Sequence, residues 1–275
     1  MKKSEVSHDQ FFTNKSTALY CLELVSKHVN KVDLFIEPSA GTGNFYKNLP
    51  VNKRLGIDIV KQSPDIIESD FLIWDLPAKY LNKDICFVGN PPFGRNSNLA
   101  VKFFNHAAKI GNCICFILPR TFRKDMIINR LDRYYHLKHQ ELLPEAIFEL
   151  KDGTGYSVPT VFQIWTKKSF KRKIIKRKSI HNDWEWVHQD NANMSIRRVG
   201  VNAGKIFNHS NVNVNSHYFI KSKNKNVLYD RFDKIFEKIW DPKKCNINSS
   251  KYDTAGNPSL NKSDIVREYI KKYGV

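Results

Sequence analysis

No apolar run in the 275-residue chain approaches the roughly 20 residues that a membrane-spanning helix needs, so an integral membrane protein is excluded as an expectation. The N-terminus, Met1 to Gln10, carries basic residues but no apolar stretch behind them, unlike a secretory signal. The sequence therefore reads as a soluble, intracellular and cytoplasmic protein. Cysteine is scarce and scattered: Cys21, Cys86, Cys113, Cys115 and Cys245 form no CxxC pair. Cys113 and Cys115 share one face of an apolar run, and a zinc site there would need two more ligands from a dispersed set. The expectation is small buried hydrophobes in a reducing compartment, and no metal. Acidic residues are also short, 27 Asp+Glu against 45 Lys+Arg, for a formal charge of +18.

That cationic excess is uneven along the chain. Residues 1–150 hold 20 Lys+Arg against 16 Asp+Glu, whereas residues 151–275 hold 25 against 11. A polyanion is the natural partner, because each cation placed near a phosphate releases condensed counterions. No strong amphipathic anchor accompanies the charge, so a membrane surface is not expected. Apolar residues make up 41% of the chain, enough for one substantial core and a smaller second unit.

The first half alternates strand and helix signals, which points to an α/β fold with a mostly parallel sheet. Ser16 is placed to cap a helix over 17–29, with Ala18, Cys21, Leu22, Val25 and Val29 on one face. Strands are predicted at Leu34–Ile36, Arg54–Ile59, Ile66–Phe71, Ile85–Gly89 and Cys113–Leu118, with a helix starting at Ser97 and another over 126–131. Segments 136–142 and 160–166 are expected to form an antiparallel edge pair. From Lys167 to Lys178 eight cations occur without an acid, which suits either a hinge with a solvated basic face or the edge of a nucleic-acid groove. Beyond it lie short strand signals near Ser195–Val199 and Tyr218–Ile220, then helices over 228–240 and 262–272, the latter capped by Asn261. Trp184, Trp186, Tyr218 and Phe219 are expected mainly in a core.

Three groups of residues carry chemistry. Glu37-Pro38-Ser39-Ala40-Gly41-Thr42-Gly43 ends a strand in an acid and follows it with a Gly-x-Gly turn, where backbone can approach a ligand. A dinucleotide fingerprint would place a third glycine at Tyr46, so that reading is weak. Asp58 and Asp70 fall at the carboxyl ends of the next two strands, the ligand-binding edge of open α/β sheets. Asp58 suits ribose hydroxyls and Asp70 an adenine amine. Asn90-Pro91-Pro92-Phe93 follows the fourth strand directly. The prolines remove two donors and fix two φ angles, which sets the direction of the neighbouring carbonyls. Asn90 Oδ1 and the Pro91 carbonyl can each accept one N–H of a planar amine, and Phe93 offers a stacking face.

On these residues the chain resembles the class I S-adenosylmethionine-dependent adenine-N6 methyltransferases in which the cofactor motifs precede the catalytic one. The resemblance covers about residues 10 to 168 and implies a Rossmann-like class I methyltransferase fold. It implies a catalytic domain over 1–168 and a basic, small α+β target-recognition region over 169–275. It also implies S-adenosyl-L-methionine held by Phe12, Thr13, Glu37, Pro38, Ala40, Gly41, Gly43, Asp58, Asp70, Phe71 and Asn90. Catalysis is implied for Asn90, Pro91, Pro92 and Phe93. Phe93 and Phe148 would stack the target base, with Tyr156 as rival to Phe148. Lys171, Arg172, Arg197 and Arg198 are the candidate phosphate contacts. Asn14 departs from the proline that many relatives place there. The implied substrate is an adenine in DNA flipped from the stack, as in a restriction-modification enzyme. The same chemistry on RNA, glutamine methylation on a protein, and a catalytically silent nucleic-acid-binding module are the alternatives.

Overall fold

The structure, a computed structural model, describes residues 12–144, 148–149, 155–156, 158–240, 249–254 and 257–274. The chain forms two compact units, Met1–Ile174 and Ile175–Val275. The break falls inside the basic run rather than at its start. The main-chain N–H groups of Lys168 and Arg172 donate to the carbonyls of Tyr134 and Arg133, both at 2.8 Å, and so tie the first half of the run to the first unit. No helix among the described residues is long and apolar enough to cross a membrane.

In chain order the first unit contains β1 (Phe12–Thr13), α1 (Lys15–His28), β2 (Leu34–Glu37), β3 (Arg54–Asp58), β4 (Ile66–Glu68) and β5 (Ile85–Gly89). It continues with α2 (Asn98–Ile110), β6 (Cys113–Pro119), α3 (Asp125–Ile128), β7 (Tyr135–Leu142), β8 (Phe148–Glu149), β9 (Gly155–Tyr156) and β10 (Thr160–Lys167). Seven of these strands make one sheet in the order β4-β3-β2-β5-β6-β10-β7. The first five are mutually parallel, and β10 runs antiparallel between β6 and β7. This is a Rossmann-like arrangement: an α/β sheet, mostly parallel, with an antiparallel pair at one edge.

Both faces of the sheet are covered, which is why its central strands read as continuous apolar runs. Successive residues of β5 and β6 point to opposite faces. Ile85, Phe87, Ile114, Phe116 and Leu118 pack with α2, through Val101, Phe104 and Ala107. Cys86, Val88, Cys113, Cys115 and Ile117 pack with α1, through Ala18, Cys21 and Val25. Cys21, Cys86, Cys113 and Cys115 are buried and free, as expected for small core residues, and Cys245 lies outside the described residues.

One helix start differs from the sequence reading, and a second adopts an unusual geometry. Asn14, not Ser16, caps α1: its Oδ1 accepts from the Thr17 N–H at 2.9 Å, and Ser16 Oγ donates to the same oxygen. Ser97 does precede α2, but in a left-handed conformation (φ 60°), with no side-chain cap bond. Its hydroxyl is 2.7 Å from that of Thr121 instead.

In the second unit, β11 (Glu185–Trp186), β12 (Met194–Arg197), β13 (Ile206–Phe207) and β14 (His217–Lys221) form an antiparallel sheet in the order β11-β14-β12-β13. Its core joins Trp184, Met194, Ile196 and Ile220 to Phe232 and Phe236 of α4 (Lys225–Trp240) and to Ile265 and Tyr269 of α5 (Lys262–Tyr273). Phe219 is buried, while Trp186 and Tyr218 pack at the margin of that core. Asn261 caps α5 in a reciprocal capping box with Asp264.

Candidate active site

The order of the large sheet reverses between β2 and β5, and at such a switch point the connections leave in opposite directions and open a crevice at the strands' carboxyl ends. A cavity of about 500 Å³ lies there, within the range of small-molecule sites. Glu37 at the end of β2 with Pro38 to Thr42 after it, Asp58 at the end of β3, Asp70 after β4 and Asn90 to Arg95 after β5 line it, with Phe12 from β1 and Phe103 from α2. The fold thus gathers residues as far apart as Phe12 and Phe103 around one opening.

The turn after β2 is held by main-chain bonds from Ala40 N–H to the Ile57 carbonyl (2.9 Å) and from Gly43 N–H to the Ala40 carbonyl (2.7 Å). Gly41 has a φ of +48°, and a Cβ there would stand 3.1 Å from the Phe12 ring, so the ring and the turn fit only with glycine. Gly41 N–H donates to Asp58 Oδ2 at 2.7 Å, and Val60 N–H donates to Asp58 Oδ1 at 3.0 Å. These bonds fix the carboxylate's orientation and leave lone pairs on both oxygens for a ligand. Asp70 starts a short helical turn and accepts from Leu72 N–H at 2.9 Å.

Glu37 is the buried acid of the site, 3% exposed, with Oε2 accepting from the Tyr46 N–H at 2.7 Å. Burial pushes its carboxyl well above the usual carboxylate range; the Tyr46 bond opposes this, and the charge of Asp58 adds to it. Its neighbour across the crevice is Gly89 (φ +147°), where a Cβ would come within 3.1 Å of Glu37 Cγ. A side chain at position 89 would therefore collide with the acid.

The Asn90–Phe93 turn is anchored at both ends. Ser39 Oγ donates to the Asn90 carbonyl at 2.9 Å, joining the turn after β2 to the turn after β5. The Phe93 carbonyl accepts from the N–H groups of Leu99 and Ala100, both at 3.2 Å, at the start of α2. Pro91 is buried, and Pro92 and Phe93 are half-buried on the cavity wall. The turn is thus held at its first and last carbonyls, and Phe93 lines the cavity beside Asn90, Pro91 and Pro92.

Of the implied cofactor residues, Phe12, Thr13, Glu37, Pro38, Ala40, Gly41, Asp58, Asp70, Phe71 and Asn90 all line the cavity, whereas Gly43 is buried behind the turn. Phe71 also belongs to the core, its ring 5.5 Å from Phe87 and 5.2 Å from Phe103. Phe148 does not line the cavity, contrary to its expected stacking role. It is fully buried, and its ring meets that of Phe93 edge-on at 6.3 Å, so it braces the ring that does face the opening. The strand bearing Tyr156 is described, but its side chain lies outside the described residues.

The basic candidates divide. Lys171 is exposed, 5.3 Å over the Tyr134 ring. Arg172 is not a free surface cation: its guanidinium donates to the carbonyls of Leu131 (2.8 Å), Tyr135 (3.1 Å) and Ile128. Those carbonyls run from the end of α3 through Leu131 to the start of β7, so the arginine serves the backbone and is withdrawn from a phosphate role. In the second unit Arg197 Nε donates to the Val199 carbonyl at 3.1 Å, and Arg198 donates to the Asn215 carbonyl at 2.9 Å beneath the Tyr218 ring. Each is half-buried and partly engaged.

Sequence reasoning missed Ile59, Gln62, Leu72 and Asn44, which also line the cavity. Ile59 and Leu72 stand next to acidic or aromatic residues already singled out, and that adjacency was the available signal. Asn44 Nδ2 donates to the Thr13 carbonyl at 2.7 Å, a link between β1 and the turn that no local pattern announces.

No family model and no curated protein matches the chain. Among solved structures it is similar to a candidate RNA methyltransferase from Pyrococcus horikoshii, at 16% identity over 60% of this chain and 90% of that one, with a TM-score of 0.46. It is similar to the 23S rRNA methyltransferase ErmE at 14% identity over 62% of this chain and 74% of that one, TM-score 0.41. A candidate methylase from Haemophilus influenzae shows 12% identity over 56% and 98% of the two chains, TM-score 0.37. Similarity at this level assigns no activity and no residue role.

Proposed function

We propose that the protein is an S-adenosylmethionine-dependent methyltransferase acting on the N6 amine of adenine in nucleic acid, with DNA as the first substrate to test. The observation that carries this reading is the meeting of Asn90–Phe93 with the Gly41 turn, Asp58 and Asp70 around one cavity at the sheet's switch point.

The residues present suit the cofactor. Gly41 brings main chain to the cavity wall, Asp58 can accept from ribose hydroxyls, and Asp70 can accept from an adenine amine. Ile59, Phe71 and Leu72 offer apolar surface for a purine. Bound there, S-adenosylmethionine would supply a methyl group activated on a cationic sulfur: the N–C bond would form as the C–S bond breaks to a neutral thioether, and one amine proton would pass to solvent. The protein's own task is to prepare the amine. The nitrogen lone pair of adenine is delocalised into the ring and is a poor nucleophile. Acceptance of its two N–H groups by Asn90 Oδ1 and the Pro91 carbonyl favours a more tetrahedral nitrogen. Phe93, braced by Phe148, gives the extruded base a stacking face worth about 1–3 kcal/mol. Extrusion is needed because the amine is otherwise paired within a duplex.

The test is transfer of a radiolabelled methyl group to duplex DNA, single-stranded DNA, structured RNA and protein, followed by nucleoside and amino-acid analysis. N6-methyladenine is the expected product, and the preferred polymer identifies the substrate. Asn90→Ala should lower transfer at least about 10²-fold, the scale of losing a positioned polar group, while cofactor binding persists. Methylglutamine as the product, or unchanged transfer by Asn90→Ala, refutes the assignment.

A further inference from the structure

On the opposite side of the sheet from α2, and apart from the cavity, three thiols converge. Cys86 of β5 stands in register with Cys113 of β6, and Cys115 is two residues further along the same face. The sulfurs of Cys86 and Cys115 are 3.7 Å apart and those of Cys113 and Cys115 are 3.5 Å apart. All three lie within 4.8 Å of one another. Two of the residues are fully buried, and Cys113, the first residue of β6, keeps 5% exposure.

Two of the three separations lie within about half an ångström of those of sulfurs that share one ion. Sulfurs bound about 2.3 Å from a common ion, as in zinc thiolates, stand about 4.0 Å apart when the three surround it in a plane. Among the described residues no fourth His, Cys, Asp or Glu joins the group, so a tetrahedral zinc centre is incomplete. Thiolate donors in low coordination select soft ions of the Cu(I) class. The surroundings also favour a monovalent ion. Val88, Ile117, Val25 and Phe162 share the layer, and an apolar layer penalises any net charge placed in it. Exchange of one Cu(I) for one thiol proton leaves the net charge of the cluster unchanged. We infer that Cys86, Cys113 and Cys115 form a three-sulfur site for a soft monovalent ion, entered at Cys113 at the start of β6.

Loading forms Cu–S bonds and breaks at least one S–H bond, whose proton passes to solvent, with no change of oxidation state. The test uses the full chain, reduced and without oxygen, titrated with Cu(I) held by the coloured chelator bicinchoninate. The protein should withdraw one equivalent, and copper K-edge absorption should show three sulfur neighbours at about 2.3 Å. Cys86→Ala and Cys115→Ala should each weaken retention at least tenfold, whereas Cys21→Ala, which alters a buried thiol outside the trio, should not. Circular dichroism accompanies each variant, and the absorption measurement on the unaltered chain stands independently if a variant fails to fold. No withdrawal of copper, fewer than three sulfur neighbours, or equal loss in Cys21→Ala overturns the site.

Discussion

Glu37 shows how one side chain can make the site costly to fold. Its carboxyl is buried, and burial raises its affinity for a proton above that of the unfolded chain. The folded state therefore binds more protons than the unfolded state once the pH passes the ordinary value of 4.5. The stability contributed by this group is complete below 4.5 and declines as the pH rises towards the elevated folded-state value. Glu37→Gln keeps an acceptor for the Tyr46 N–H and removes the titration. The melting temperature of this variant should coincide with that of the parent near pH 4 and exceed it increasingly through neutral pH. Parallel curves from pH 4 to 8 would show that the acid is not held in this way. Legibility at this scale is mixed. The places of Asp58, Asp70 and Asn90 along the sheet's carboxyl edge were readable, because Asp58 ends β3, Asp70 comes two residues after β4 and Asn90 follows β5 directly. Arg172 was not readable, since nothing in a run of cations distinguishes the one that reaches three carbonyls from those left in water.

At the scale of elements, local periodicity identified the strands and helices that position the cavity, because each is bounded by its own turn or cap. Pairings between distant segments had no such signal. The partner of β1 is β8, with Phe12 opposite Glu149 and Thr13 opposite Phe148, and this contact brings the bracing ring behind Phe93. β10 enters between β6 and β7 although it follows both in the chain. The start of α1 was misread by two residues because Asn14 and Ser16 are both good caps, and only the geometry selects between them. Asn14→Ala should cost about 1 kcal/mol, lowering the melting temperature of the first unit by about 2–4 °C. Ser16→Ala removes only a donor to the capping oxygen and should change it less. An equal or larger loss from Ser16→Ala in thermal melts would return the cap to Ser16.

For the whole molecule, the division into units redistributes the charge. Residues 1–174 carry 26 Lys+Arg against 17 Asp+Glu, and residues 175–275 carry 19 against 10, a net of +9 in each. The basic excess is thus shared between the units, and the first half of the basic run belongs to the unit that carries the cavity. Lys171 and Lys173 are exposed there. Joint replacement by alanine should reduce the slope of log affinity against log salt by up to about 0.7–0.9 per lost phosphate contact. Binding of single-stranded and duplex oligonucleotides across a salt series measures this, and an unaltered slope places the contacts elsewhere.

The Ser39–Asn90 hydrogen bond has a consequence for anyone who would transplant the site. The tetrapeptide Asn90–Phe93 is not a portable cassette. Its first carbonyl is aimed by a hydroxyl from another loop, and its last by the helix that follows. A graft that copies four residues onto a new scaffold copies the letters without the scaffolding. A working graft must carry the serine of the facing loop and the first turn of α2 with it.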